Sequence, residues 1–274
     1  MTKIGRHLYG ALVGLTLLGS APANAGNIFL TGHDPDFHQS DSASAALTAA
    51  LNFVRNGSTL PVLVFDNNSL QLDNFLTTLG IAHTTVNPST TFANSVFDIT
   101  KYSAFAVASQ ASCGGCDLSA SDVANIATHA TGIASFFNAG GGIAGLTAGF
   151  DPNGYAYVPE AAANAGGFPP TNGFVETLAG TSNGLLPENG DATHNFFPTP
   201  GTSGLSSSYQ VAETNGGSVE SIFLKGGSIS CEGVSCTIGT GAVPEPSTWA
   251  MILMGFGAMG GAMRRRKRVS LQIA

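Results

Sequence analysis

Between Asn27 and Thr147, short apolar runs alternate with longer amphipathic stretches, and this alternation limits the fold more than any other feature of the sequence. The apolar runs are Asn27 to Thr31, Pro61 to Phe65, Ile81 to Val86, Tyr102 to Ala108 and Gly142 to Thr147, each of strand length. Between them, Ser42 to Val54 puts Ala45, Ala46, Ala49, Ala50 and Phe53 on one side of a helix. Leu70 to Leu79 reads as a helix closed by Gly80, and Ser119 to Asn138 as one long helix with Ser119 or Ser121 as its N-cap. Strands joined through helices run parallel and need cover on both faces, so the expected fold is a three-layer α/β sheet.

The pattern changes after Gly149. Asp151 to Ser207 is rich in Gly, Pro, Asn and Thr, whereas Tyr209 to Ala212, Val219 to Leu224 and Ser228 to Ile238 read as strands. The core is therefore placed at residues 27–150. A loop-rich extension at 151–242 follows, with loops laid on the sheet and a small antiparallel finish in which Cys231 and Cys236 staple a hairpin.

Both ends of the chain read as addresses. In residues 1–25, Lys3 and Arg6 precede an apolar run from Leu8 to Gly19, and Ala23-Asn24-Ala25 offers a cleavage site before Gly26, the order of a secretory signal peptide cut by signal peptidase. Toward the other end, Val243-Pro244-Glu245-Pro246 leads into uncharged residues 247–263 and then Arg264-Arg265-Arg266-Lys267-Arg268. As a helix the uncharged stretch would span roughly 26 Å, near the lower limit for crossing a bilayer, and the basic block favours the cytoplasmic side. Residues 243–268 in this order resemble the PEP-CTERM sorting signal of bacterial exported proteins, which is read by an exosortase. The resemblance implies a protein of the cell envelope, held in the membrane by its C-terminal helix before processing and then found at the surface or outside the cell.

Setting the two ends aside changes the charge balance. The body of the chain, residues 26–242, keeps Arg55, Lys101 and Lys225 against sixteen Asp and Glu residues. So acidic a surface repels nucleic acid and tolerates divalent cations. The four cysteines form two close pairs, Cys113 with Cys116 and Cys231 with Cys236, and in an oxidising compartment disulfides are the first reading, with three connectivities open. A four-cysteine zinc site or a redox pair at Cys113 and Cys116 are the alternatives.

Three stretches of the core carry a family likeness: Ile28-Phe29-Leu30-Thr31-Gly32-His33 with the His38 that follows Phe37, Tyr102 to Ala108, and Phe136 to Leu146 through Gly140-Gly141-Gly142. Together they resemble the flavodoxin-like class I glutamine amidotransferase fold, and within it ThuA-like (trehalose utilisation) domains, over residues 27 to 150. The likeness departs at Thr147, where ThuA-like domains tend to carry a His, and no cysteine nucleophile sits on a sharp strand-to-helix turn. Amidotransfer is therefore not expected.

In an open parallel sheet, ligands bind beyond the carboxyl ends of the strands. That rim would gather Gly32-His33-Asp34-Pro35-Asp36-Phe37-His38 with Asp66, Asn67, Gln110 and Thr147 as ligand-binding residues. His33, Asp34, Asp36 and His38 are candidate ligands for a divalent metal, although no cofactor is otherwise expected, and His33, Asp34 and His194 are candidates for acid–base work. The competing reading has His33 and Asp34 ordering a turn and capping the next helix. Gly140-Gly141-Gly142 follows a helix and precedes a strand, the wrong polarity for a phosphate loop. Two functions remain: a domain without catalysis that serves in binding or in the envelope and extracellular matrix, with exopolysaccharide or other envelope components as partners; or a ThuA-like hydrolase or carbohydrate-active enzyme using the His/Asp rim.

Overall fold

A computed structural model describes residues 25–110, 118–147, 149, 151–165, 171–190, 193–233 and 235–240. Cys113, Cys116 and the expected membrane span at 247–263 lie outside these residues, as does the signal peptide up to residue 24. Among the described residues, no helix is long and apolar enough to cross a membrane.

The core runs β1 (Ile28–Thr31), α1 (Pro35–His38), α2 (Asp41–Arg55), β2 (Val62–Phe65), α3 (Gln71–Thr78), β3 (His83–Val86), a 3-10 turn (Asn94–Val96), β4 (Ala104–Val107), α4 (Ala120–Ala127), α5 (Ala130–Asn138) and β5 (Gly142–Gly145). The extension adds β6 (Asn164–Ala165), β7 (Phe174–Glu176), α6 (Leu178–Ser182), β8 (Asn195–Phe196), β9 (Gln210–Asn215), β10 (Ser218–Leu224), β11 (Gly227–Glu232) and β12 (Ser235–Thr240). One mixed eight-stranded sheet has the order β3-β2-β4-β5-β1-β10-β9-β7. Its first five strands pair in parallel and the last three are antiparallel.

The parallel strands β1, β2, β4 and β5 are buried along their whole length, which is why their sequences run apolar without alternation. Partners aligned across strands share a face. Phe105, Ile143, Ile28 and Leu224 lie on one side, and Ala106, Ala144, Phe29 and Phe223 on the other. Phe136 of α5 meets Phe105 at 6.0 Å between ring centroids, while Phe53 of α2 meets Phe223 at 5.6 Å, so the two helices cover opposite faces. The helix α2 comes very close to β5, because a Cβ at Gly142 would fall on the Val54 carbonyl oxygen. Ser40 starts α2 by accepting a hydrogen bond from the Ala43 amide, and Asn56 ends it in the left-handed conformation.

Two sequence expectations are corrected. The single helix expected over Ser119 to Asn138 is two, α4 and α5. The break at Thr128 and His129 lets the His129 ring stack on Phe92 at 4.3 Å and bond Asn94 Oδ1 at 2.6 Å, tertiary contacts that outweigh helix continuity. The antiparallel finish is larger than expected: β10 joins the main sheet beside β1, with β9 and β7 beyond it. Two strand pairs lie outside that sheet, β6 with β8 and the hairpin of β11 and β12, and in the hairpin Cys231 and Cys236 are directly paired and disulfide-bonded, as the sequence suggests.

Candidate functional site

Beyond β1 the chain bends at Gly32, and His33 forms an antiparallel bridge with Thr193. Asp34, with φ −117° and ψ 61°, has already left the strand conformation, and His33 and Asp34 meet different partners. The buried His33 turns toward the antiparallel strands. Its Nε2 lies 3.0 Å from Glu213 Oε2 and its ring meets Phe174 edge-on at 4.6 Å. Glu213 also accepts from Ser221 Oγ at 2.9 Å and from the Glu188 amide at 2.8 Å.

Asp34 is fully buried. Its Oδ2 is 3.1 Å from His194 Nε2 and 3.7 Å from His38 Nε2. The single turn of α1, begun by Pro35, puts residues 34 and 38 one turn apart on the same side, and the His194 amide donates to the Gly32 carbonyl at 2.9 Å to anchor the opposing segment. One ligand atom from each of Asp34, His38 and His194 lies within 4.8 Å of the others.

The remaining rim residues hold the framework. Asp36 accepts from the Ser109 amide at 2.9 Å and from the Ser109 hydroxyl, tying the β1 loop to the end of β4. Asp66 accepts from the amides of Asn67 and Asp73 and so caps the start of α3; burial raises its carboxyl above the ordinary range. Asn67 accepts from the Ser69 amide, Gln110 Nε2 donates to Asp151 at 2.9 Å, and Thr147 Oγ donates to Asn195 Oδ1 at 2.8 Å. The four candidate metal ligands His33, Asp34, Asp36 and His38 therefore do not assemble as a set. His33 and Asp36 are turned to other partners, and His194 joins Asp34 and His38.

Three acidic side chains absent from the sequence reading stand behind the rim. Glu176 pairs with Glu213 across β7 and β9, and Glu220 is buried on β10. Burial, with the Glu213 charge second, pushes the Glu176 and Glu220 carboxyls up to about 8. A signal was present in the sequence, since Glu220 and Ser221 interrupt an otherwise apolar strand. A separate cavity of about 340 Å³ lies on the α4–α5 face, lined by Ile133, Tyr155, Tyr157, Glu160 and Ile229, and it includes none of Asp34, His38 and His194.

A model of the PEP-CTERM protein-sorting motif matches residues 242–267. The match supports an exported, envelope-associated protein processed through exosortase, and its boundaries fall just beyond the last strand of the hairpin. No curated protein and no solved structure matches the chain.

Proposed function

We propose that this is an exported envelope protein whose α/β domain, of the class I glutamine amidotransferase-like type, binds a ligand at the carboxyl rim of its sheet and performs no amidotransfer. The observation that carries the reading is the state of the rim. Asp34 and His194 face one another at 3.1 Å, while His33, Asp36 and Thr147 are committed to Glu213, Ser109 and Asn195. A pair that converges among neighbours locked into the framework suits recognition better than a multi-residue catalytic relay. Envelope polysaccharide is the ligand class suited to the compartment. The same Asp34–His194 pair is also what a ThuA-like hydrolase would use for acid–base work, which makes turnover of glycosides the second reading.

Two measurements on the full chain expressed in an exosortase-bearing host test the proposal. Replacing Pro244, Glu245 and Pro246 by alanine is expected to leave an uncleaved, membrane-retained form, and unchanged processing would remove the sorting reading. The exported protein is expected to retain envelope polysaccharide and His194→Ala to lose it, with no glycoside turned over by either; equal retention by both proteins would count against the rim, and turnover abolished by His194→Ala would favour the enzyme.

A further inference from the structure

We infer that Asp34, His38 and His194 form a binding site for a divalent transition metal of the zinc class, with a coordination position left open to solvent. The inference rests on reading the rim as the ligand site and names what is bound there.

Geometry is the first support. A tetrahedral ion with bonds of about 2.0–2.2 Å sets its ligand atoms about 3.3–3.6 Å apart. The Asp34 to His194 and Asp34 to His38 separations of 3.1 and 3.7 Å bracket that edge length. The three ligand atoms lie within 4.8 Å of one another, and His38, with a side chain 40 % exposed on a one-turn helix, can rotate to bring the widest separation to that edge.

Electrostatics is the second. The Asp34 carboxylate is fully buried, and its Oδ1 accepts no hydrogen bond among the described residues. Among the described residues the basic groups facing it are the imidazoles of His38 and His194, and a buried carboxylate that lacks a permanent positive charge beside it costs several kcal/mol, which a bound cation offsets. The three Lys and Arg residues of the body are elsewhere: Arg55 is bound to Ser103 and the Leu60 carbonyl, Lys101 to Asp98, and Lys225 follows the β10 residue paired with Ile28. All three sit at the amino ends of the parallel strands. The field of the domain therefore draws positive charge to the carboxyl rim.

Donor chemistry selects the ion. Two imidazoles and one carboxylate favour zinc and its first-row neighbours, whereas calcium and magnesium want a shell of oxygen. The exposed side of His38 leaves room for a water or an oxygen donor of a bound ligand at the fourth position.

The test uses the exported protein, stripped with a chelator, dialysed against zinc and assayed by elemental analysis, with cobalt as a spectroscopic substitute. The expected result is one equivalent of zinc and a tetrahedral cobalt spectrum, with affinity reduced at least about tenfold in His38→Ala and His194→Ala and unchanged in His83→Ala. His83, paired with Asp73 away from the rim, controls for general loss of imidazole. Excess calcium is expected not to compete. Failure of the wild type to hold zinc, or zinc held equally by His38→Ala and His194→Ala, overturns the site; polysaccharide retention that survives such a failure leaves the binding reading in place without its metal.

Discussion

The two ends of the parallel strands are chemically opposite. At the amino ends the polar groups are saturated: Arg55 reaches both Ser103 and the Leu60 carbonyl, the Ser103 hydroxyl donates to the same carbonyl, and Lys101 pairs with Asp98. At the carboxyl ends Asp34, Asp36, Asp66, Glu213 and Glu220 are buried, and among the described residues the basic side chains near them are imidazoles. Both ends belong to one sheet with one core, so the fold does not demand the difference. Saturated polar groups at one end serve stability, and the buried acidic groups gathered at the other are the observation on which the proposed site rests.

Three substitutions would sharpen or break that contrast. Ser109→Ala removes the hydroxyl donor to buried Asp36 at the carboxyl end, and a loss of about 1–3 kcal/mol is expected by denaturant unfolding. A loss near zero would mean that water replaces the hydroxyl and that the rim is wetter than its burial implies.

The second acts through pH. Glu176 and Glu220 are raised to about 8 from an ordinary 4.5, so the folded protein holds protons that the unfolded chain gives up across that interval. Their stabilising contribution is complete below about pH 4.5 and is lost as pH rises through about 8. Glu220→Gln should flatten this decline, seen as a smaller difference in melting temperature between about pH 5 and about pH 8.5 than in the wild type. An unaltered difference would remove Glu220 from the buried acidic group.

The smallest effect belongs to the amino end. Lys101 has a side chain 67 % exposed and its pairing with Asp98 is open to solvent. Lys101→Ala is expected to leave the melting temperature within error. A clear drop would show that the amino end depends on its charges as much as the carboxyl end does.

Much of the fold was legible because fully buried parallel strands write themselves as unbroken apolar runs: Val62 to Phe65 and Ala104 to Val107 could hardly be anything else. The α4–α5 break was not legible, because it depends on Phe92 and Asn94, more than thirty residues before His129 in the chain. The pairing of Thr31 with Ser221 joins residues 190 apart, and nothing local to either strand names its partner. The rim was legible as a place and not as a set. His33 and Asp34 are neighbours in sequence yet meet different partners, because the chain leaves the strand conformation between the bridge at His33 and the helix that starts at Pro35, whereas Asp34 and His38 share a side because α1 turns once between them. His194 reaches Asp34 through the bridge of Thr193 to His33, a contact that spacing alone does not reveal.

The most direct test of the account is a crystal structure of the exported, zinc-loaded protein with anomalous scattering measured across the zinc absorption edge. One peak is expected at about 2.0–2.2 Å from a carboxylate oxygen of Asp34 and from an imidazole nitrogen of His38 and of His194. A map with no peak there, or with zinc held instead at His83 and Asp73, would contradict it.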